Sequence, residues 1–307
     1  MARRRKGRQI DGLLVLDKPP GVSSNGALQQ VKRLYGAAKA GHTGSLDPLA
    51  TGVLPLCFGE ATKFSQFLLN ADKGYLSTFV LGIGTDTADA DGEIIAQAAA
   101  TGVTLDRVTE AMKPLTGAIE QVPPMYSALK VDGQPLYKRA RAGEQVERAP
   151  RSVTIHQFDL VSFAPGEQVI VKVQILCSKG TYVRSLAEDL GAALDLPAHV
   201  SELRRCQSGP FNLGDTVTLD TLLAIKEAES EPGLDLRLLP IEASLHHLPR
   251  VTLSEAATFH IRRGQSVVVS NGAQSGMVRI ADAGGSFLGI GNVRDDGQLA
   301  PTRLLAQ

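Results

Sequence analysis

Short apolar runs separated by turn residues mark the elements that the first two-thirds of the chain is predicted to form. Residues 13–16 (LLVL) are an apolar run that ends at the turn sequence DKPPG, which is typical of a strand followed by a turn. Residues 169–177 alternate, so that every second side chain shares one face of a strand. The same criteria predict strands over 53–58, 75–83 and 153–163, and helices over 24–35, 61–69, 104–112 and from 181 onward.

The order of these elements favours an α+β domain, because strands and helices follow one another without a regular strand–helix–strand repeat. Beyond residue 249, strand-like pieces at 266–269, 277–280 and 287–293 are separated by glycines, which is typical of a small β-barrel of about 55 residues. We therefore expect a main domain over 10–248, a barrel over 249–307 and a basic, disordered tail over 1–9.

Charge is distributed unevenly although the formal net charge of the 307 residues is zero. The stretch 215–242 holds seven acids and two bases, so the remainder of the chain carries a net positive charge. Bases crowd 3–8 and 130–151, and local basic patches bind phosphate whatever the overall sum is. The alternative is that the bases of both stretches simply face solvent and bind no partner.

Several classes of protein do not fit the sequence. No apolar run approaches the roughly 20 residues that span a bilayer, and the basic start lacks the apolar segment of a secretory signal. The three cysteines are far apart and form no CxxC pair, so neither a disulfide framework nor a zinc site is expected. We expect a protein of the reducing cytoplasm.

The stretch GHTGSLDPLATG, residues 41–52, fixes a single carboxylate, Asp47. Pro48 disfavours helical backbone at the residue before it, and the glycines permit a folded loop. A carboxylate held on a rigid loop can act as a nucleophile or a base, although it can also simply cap a turn.

Other motifs fail on inspection. Gly82 and Gly84 lack the third glycine of a dinucleotide-binding loop, and a calcium loop threaded through Gly92 fails at Thr87 and Ala98. A turn stabilised by aspartate side chains is the better interpretation of residues 86–92.

Seven blocks in a fixed order carry a resemblance to a known family. They are LDKPPGVSSN (16–25), AGHTGSLDPLATGVLP (40–55), GEATKFSQ (59–66), DKGY (72–75), GIGTDTADADG (82–92), PPMYSALKVDGQPLYKRAR (123–141) and CSKGTYVRSLAEDLG (177–191). Together they resemble the bacterial tRNA pseudouridine-55 synthases of the TruB type. The tail of the chain, from HIRRGQSVVV to LAPTRLL, more weakly resembles the PUA-type RNA-binding barrel that usually closes these proteins.

The resemblance implies a catalytic domain with a mixed, largely antiparallel sheet flanked by helices, and it implies roles for particular residues. Asp47 would be the catalytic aspartate, Tyr75 its aromatic partner and Arg184 its arginine. The substrate-binding residues would be His42, which contacts the T loop, and Tyr182, Leu203 and Lys18. Gly74 stands where some relatives carry arginine, which puts one peripheral RNA contact in doubt.

The implied reaction is an isomerisation in which uracil leaves C1′ through N1 and reattaches through C5, and it needs no cofactor and no metal. The implied partner is the T stem-loop of tRNA, bound by a monomer without a membrane or a small-molecule cofactor. A basic insertion at about 123–151 would clamp the RNA. The cations of this insertion that would contact RNA are Lys130, Lys138, Arg139 and Arg141. The arginines of the barrel that would reach toward the acceptor end are Arg262, Arg263, Arg279 and Arg303.

Asp47 must be ionised, and burial alone would raise its pKa. We expect the guanidinium of Arg184 to lie beside it and to reverse that rise. Two alternatives remain open: a glycoside hydrolase that uses Glu60 or Glu188 as its second carboxylate, and a non-catalytic RNA-binding protein.

Overall fold

Seven helices and nineteen strands occupy residues 7–131, 133–269 and 274–306, which the computed structural model describes. The helices are α1 (Ser24–Leu34), α2 (Ser65–Asn70), α3 (Leu105–Met112), α4 (Leu136–Arg141), α5 (Val183–Ala192), α6 (Leu219–Asp235) and α7 (Glu255–Ile261). Short 3₁₀ helices cover Gly59–Phe64, Lys113–Leu115, Leu213–Asp215 and Ile241–Leu245.

The strands divide at about residue 249 into an earlier and a later group. The earlier strands are β1 (Gly12–Lys18), β2 (Ala40–His42), β3 (Thr51–Phe58), β4 (Lys73–Leu81), β5 (Ile83–Thr85), β6 (Ile94–Gln97), β7 (Gly117–Gln121), β8 (Lys130–Val131), β9 (Gln134–Pro135), β10 (Arg151–Ala164), β11 (Val169–Cys177), β12 (Ala198–Ser208), β13 (Phe211–Asn212) and β14 (Val217–Thr218). The later strands are β15 (Arg250–Thr252), β16 (Val267–Val268), β17 (Gly276–Ala281), β18 (Phe287–Val293) and β19 (Gln298–Leu304).

A ten-stranded sheet forms the frame of the larger part. Its order is β14-β1-β3-β12-β4-β11-β10-β7, with β2 beside β3 and β13 beside β12. Only the pairs β1–β14 and β3–β12 are parallel. The predicted mixed, largely antiparallel sheet with flanking helices is therefore confirmed. In the described part of the chain, no helix is both long and apolar enough to cross a lipid bilayer.

Strand β1 is buried on both faces, which explains why its sequence is a continuous apolar run. Leu14 and Leu16 belong to the main core, which also buries one face each of α1, α3, α5 and α6. Leu13 and Val15 point into a second cluster on the other side of the sheet, against the 3₁₀ helix Gly59–Phe64 and residues 241–245. The sheet is thus covered on both sides around the strands that carry the site.

The last part of the chain forms a separate five-stranded sheet in the order β15-β17-β18-β19-β16, closed by α7 around its own small core. This agrees with the predicted small barrel, and the strand predicted over 287–293 matches β18. Phe287 lies edge-on to Phe64 with ring centroids 5.7 Å apart, so this sheet packs on the second cluster of the larger part. The boundary at 248/249 stays a prediction.

The structure differs from the sequence-based expectation in several places, of which the central strand β12, helix α6 and the start of the chain matter here. Strand β12 and helix α6 were not predicted, although β12 lies in the middle of the sheet between β3 and β4. Most of the predicted disordered tail, residues 1–6, lies outside the described residues. Arg8 within that tail is held in place, because its backbone pairs with residues 36 and 38 and its guanidinium pairs with Asp235.

A glycine makes the contact between β3 and β12 possible. Gly52 has φ +99°, and a Cβ at this position would stand 2.2 Å from the carbonyl oxygen of Arg205. Gly41, on the neighbouring β2, has no heavy atom within 4 Å of the corresponding point.

We expect Gly52→Ala to destabilise the protein by about 2–5 kcal/mol, because backbone strain and overpacking add. Chemical denaturation measures this difference directly. Gly41→Ala is the matched control and should change the free energy of unfolding by no more than about 0.5 kcal/mol. Equal effects of the two substitutions would contradict the role assigned to Gly52.

Candidate active site

A pocket of about 350 Å³ opens where the loop after β2 meets β4, β12 and the start of α5. Five of the seven residues predicted to be catalytic or substrate-binding line it: Asp47, Tyr75, Tyr182, Arg184 and Leu203. A larger cavity of about 740 Å³ lies in the last part of the chain beside Phe259 and Arg263, but no carboxylate, histidine or tyrosine of the described residues lines it. The first pocket is therefore the candidate active site.

The loop that carries Asp47 is fixed on both sides of this residue. The hydroxyl of Ser24 accepts a hydrogen bond from the backbone N–H of Leu46 (2.7 Å) and donates one to the Leu46 carbonyl (3.0 Å). The Pro48 carbonyl accepts hydrogen bonds from Lys18 Nζ (3.2 Å) and the Gly21 backbone (2.9 Å). These bonds leave the carboxylate at a defined point of the pocket wall.

Arg184 binds Asp47, as the sequence predicted that it would. Its Nε lies 3.0 Å from Asp47 Oδ2, and the side chain is 5% exposed. The two terminal nitrogens donate to the carbonyls of Thr87 (2.8 Å) and Tyr126 (2.7 Å). The guanidinium is thus held by three separate segments of the chain and cannot turn away from Asp47 without breaking all these contacts.

Asp89 is a second carboxylate on the same guanidinium, and the sequence reasoning missed this function. Its Oδ2 lies 3.7 Å from Arg184 Nε, and the residue is buried. Oδ1 accepts hydrogen bonds from the Thr87 hydroxyl (2.6 Å) and the Asp91 backbone (3.2 Å). The sequence predicted the turn stabilised by aspartate side chains. The repeated aspartates of GTDTADADG are the only feature of the sequence that could have indicated the contact with Arg184.

Burial in the pocket wall raises the pKa of Asp47 above its ordinary value. The positive charge of Arg184 opposes this rise, the negative charge of Asp89 adds to it, and the ammonium of Lys18 opposes it weakly. The expectation that Arg184 would reverse the effect of burial is wrong, because the loss of solvation is the largest influence on the pKa of Asp47 and the negative charge of Asp89 adds to it. The Asp47 side chain keeps 39% of its surface open to the pocket, so a substrate can reach it.

Tyr75 and Leu203 come from the paired strands β4 and β12 and form one side of the pocket. Tyr182 precedes α5, and its backbone exchanges two hydrogen bonds with the side-chain amide of Gln121. A half-buried aromatic ring beside a leucine forms a flat apolar wall, which suits the face of a planar ring. Their assignment to substrate binding stays a prediction.

Lys18 and His42 do not line the pocket. Lys18 is fully buried behind the Asp47 loop, and burial lowers its pKa to about 8. His42 lies on β2, where its Nδ1 is buried and has no hydrogen-bond partner among the described residues. Burial and the charge of Arg205 lower the pKa of His42, which favours the neutral imidazole.

The predicted RNA-contacting cations lie on the basic insertion. Lys130 is exposed on β8 and Lys138 is exposed on α4, while Arg139 is paired with Glu144 at 2.7 Å. Arg141 also lies in α4, but its side chain is outside the described residues. Among the described residues, no three His, Cys, Asp or Glu side chains cluster closely enough to hold a metal ion.

We expect Asp89→Asn to lower the pKa of Asp47. The substitution removes a negative charge that favours the protonated form of Asp47, so the carboxyl should ionise at lower pH. Carbon-13 NMR of labelled aspartate measures the titration. Asp91→Asn, an exposed position in the same turn, is the control and should leave the pKa of Asp47 unchanged; an unchanged or higher value in Asp89→Asn would contradict the assignment.

Comparison with sequence families gives matches along nearly the whole chain. Residues 32–183 match the model of the TruB family pseudouridylate synthase N-terminal domain, residues 184–246 match the tRNA pseudouridylate synthase B C-terminal domain, and residues 249–305 match the C-terminal region of pseudouridine synthase II TruB.

Relatives match over almost their full length. The tRNA pseudouridine synthase B of Saccharophagus degradans is 51% identical over 99% of both chains. The protein of the same name from Pseudomonas aeruginosa is 55% identical over 97% of both chains.

Solved structures share the fold. A chain of a Cbf5-Nop10-Gar1 complex superposes with a TM-score of 0.71 at 27% identity, covering 96% of this chain and 84% of its own. A chain of an H/ACA RNP bound to a substrate RNA containing 2′-deoxyuridine gives a TM-score of 0.73 at 25% identity, covering 100% of this chain and 92% of its own. The family models, the relatives and the shared fold together show that this chain belongs to the TruB family of pseudouridylate synthases and is an isomerase.

Proposed function

We propose that this protein converts the uridine at position 55, in the T loop of tRNA, to pseudouridine. One observation carries the proposal: the ion pair of Asp47 and Arg184 lies in a pocket walled by Tyr75 and Leu203. The relatives named tRNA pseudouridine synthase B support tRNA as the substrate. The position in the T loop rests on the family resemblance of the motif around Asp47.

Asp47 acts on the ribose. It either attacks C1′ as a nucleophile or removes the C2′ proton as a base, and both routes require the ionised carboxylate that Arg184 favours. The target base must first leave the stack, at a cost of a few kcal/mol. Tyr75 and Leu203 then hold the extruded uracil, and its ring turns between them so that C5 replaces N1 at C1′.

The T arm lies across the basic insertion in this proposal. Lys130 and Lys138 are exposed there, as phosphate contacts must be. The insertion also reaches the site, because Arg184 binds the Tyr126 carbonyl.

One of the four arginines predicted to reach toward the acceptor end already has partners within the protein. Arg279 binds Glu242 at 3.0 Å and the Leu248 carbonyl at 2.8 Å, so an RNA phosphate would have to compete with these contacts.

The glycoside-hydrolase alternative loses its candidates. Neither Glu60 nor Glu188 lines the pocket, and Glu60 instead binds Lys63 at 2.5 Å. Asp89 is near Asp47 but is held by Arg184 and by its own turn.

We expect Asp47→Asn to lower turnover at least 1,000-fold, because an amide can neither attack nor deprotonate the ribose. The substrate is a tRNA transcript that carries tritium at C5 of uridine, and one equivalent of tritium should reach water with the unaltered enzyme. A transcript with cytidine at position 55 is the control for the site and should release none. Full tritium release by Asp47→Asn would refute the role of Asp47. The affinity of this variant for tRNA should stay within about threefold of that of the unaltered enzyme.

Affinity for tRNA should fall steeply with salt. If four cations of the insertion bind phosphates, raising salt from 50 to 200 mM should weaken binding about 100-fold, while the single-turnover rate at saturation stays nearly constant. The slope of log Kd against log salt concentration reports the number of counterions released on binding. Replacing Lys130 and Lys138 by Gln should lower that number by about two. Lys113→Gln, which removes an exposed cation paired with Glu110 on α3, is the control and should not change the slope; an affinity insensitive to salt would contradict the clamp.

A further inference from the structure

A buried arginine in the pocket wall has no counterion among the described residues. Arg205, on β12, is 1% exposed and is one of the largest fully buried side chains. No carboxylate of the described chain lies within 4.0 Å of its guanidinium. Burying a charge without a partner is costly, so this arrangement calls for an explanation beyond packing.

Hydrogen bonds to the backbone use only part of the guanidinium. Nε donates to the Val53 carbonyl at 2.7 Å and Nη2 donates to the Gly44 carbonyl at 3.1 Å. These two carbonyls flank the loop of Asp47, so Arg205 helps to hold that loop. A guanidinium carries five N–H donors, however, and Arg205 also lines the pocket beside Tyr75.

The charge of Arg205 reaches the groups around the pocket. Tyr75 is its cross-strand neighbour, and the positive charge of Arg205 and a hydrogen bond from its side chain both oppose the rise that burial causes in the pKa of Tyr75. Burial lowers the pKa of Lys73 to about 8, and the charge of Arg205 contributes to that lowering. The pKa of His42 is lowered by burial and by the same charge. The charge of Arg205 therefore acts on three groups around the pocket.

The other cations of the pocket wall are committed elsewhere. Arg184 is shared between Asp47 and Asp89. Lys73 Nζ donates to the carbonyls that end α2, those of Leu68, Leu69 and Ala71. Of the described cations that line the pocket, Arg205 is therefore the one with donors and charge left for a ligand.

We propose that Arg205 stabilises the negative charge on uracil while the base is detached from the ribose; the inference rests on the proposed function. When the C1′–N1 bond breaks, both electrons stay on the ring, and the charge spreads over N1 and the carbonyl oxygens. C1′ meanwhile bonds to Asp47 or, after Asp47 takes the C2′ proton, joins a C1′–C2′ double bond. When C5 bonds to C1′, either the bond from C1′ to Asp47 breaks or, on the other route, Asp47 returns the proton to C2′ as the C1′–C2′ double bond is lost. The ring is then neutral. The C5 proton leaves to water while N1 takes a proton from water, so the reaction is balanced as an isomerisation.

Such a cation acts on the transition state. It is already oriented and lies away from bulk water, where electrostatic stabilisation is strongest, and removal of one comparable donor slows enzymes about 100- to 1,000-fold. A residue that only held the loop would affect every substrate alike. If a residue stabilises the negative charge of the leaving base, its substitution should slow the reaction less when a substituent on the base already stabilises that charge.

The test compares two tRNA transcripts, one with uridine and one with 5-fluorouridine at position 55, because fluorine withdraws electrons and stabilises the ring anion. Single-turnover consumption of each is followed by mass spectrometry of the nucleosides. Arg205→Gln keeps a donor for a backbone carbonyl but loses the charge, and Arg205→Lys keeps the charge. Arg204→Met is the matched control, since this neighbouring arginine lies outside the pocket and is paired with Asp17 at 2.7 Å.

We expect Arg205→Gln to slow uridine about 100-fold and 5-fluorouridine only about 10-fold, and Arg205→Lys to slow both by less than about 10-fold. Arg204→Met should leave the ratio of the two rates unchanged. Equal losses on both substrates would overturn the inference and leave Arg205 as a positioning residue. If Arg205→Gln does not fold, Arg205→Lys decides, since a 100-fold loss with intact tRNA binding overturns the inference and a loss below 10-fold supports it.

Failure of the proposed function gives a different result. In that case the unaltered enzyme does not convert the uridine transcript at all. If the unaltered enzyme converts it and only the substrate ratio fails to change, the inference about Arg205 alone is refuted.

Discussion

The contact between Arg184 and Asp47 organises the rest of the site. One buried guanidinium binds the Asp47 carboxylate, the Asp89 carboxylate and the carbonyls of Thr87 and Tyr126. These partners come from three parts of the chain, because Thr87 and Asp89 belong to the same turn, and the three segments can meet only when α5 is docked on the sheet. A strong, directional set of charge-assisted bonds at one point therefore couples the turn at 86–92 and the basic insertion to the Asp47 carboxylate.

The sheet provides the rigidity that this contact needs. Strands β3, β12 and β4 are adjacent, and they carry the end of the Asp47 loop, Leu203 and Tyr75 respectively. Ser24 and Lys18 tie down the residues on either side of Asp47. Residues placed on paired strands move little relative to one another, which suits a reaction in which a base must turn within a confined space.

The pocket wall holds acidic and basic side chains at separate points. Two carboxylates share Arg184, and burial, with the charge of Asp89, raises the pKa of Asp47. The same wall holds a second buried guanidinium, that of Arg205, with no carboxylate beside it among the described residues. In the proposed mechanism, Asp47 offers negative charge to the ribose at one point and Arg205 offers positive charge to the base at another.

Local sequence determined much of this protein: the apolar run of β1, the alternation of β11, and the rigid loop of Asp47 all follow from neighbours along the chain. The family resemblance also indicated that Arg184 would lie beside Asp47. The sequence did not reveal β12, because Glu202, Arg204 and Arg205 interrupt its strand pattern, and only the pairing with β3 and β4 makes it central. Tertiary structure alone decided that Asp89 would share Arg184 and that Arg205 would have no counterion among the residues that the structure describes. Arg184 lies 95 positions from Asp89 and 137 positions from Asp47, and no local pattern encodes contacts over such separations.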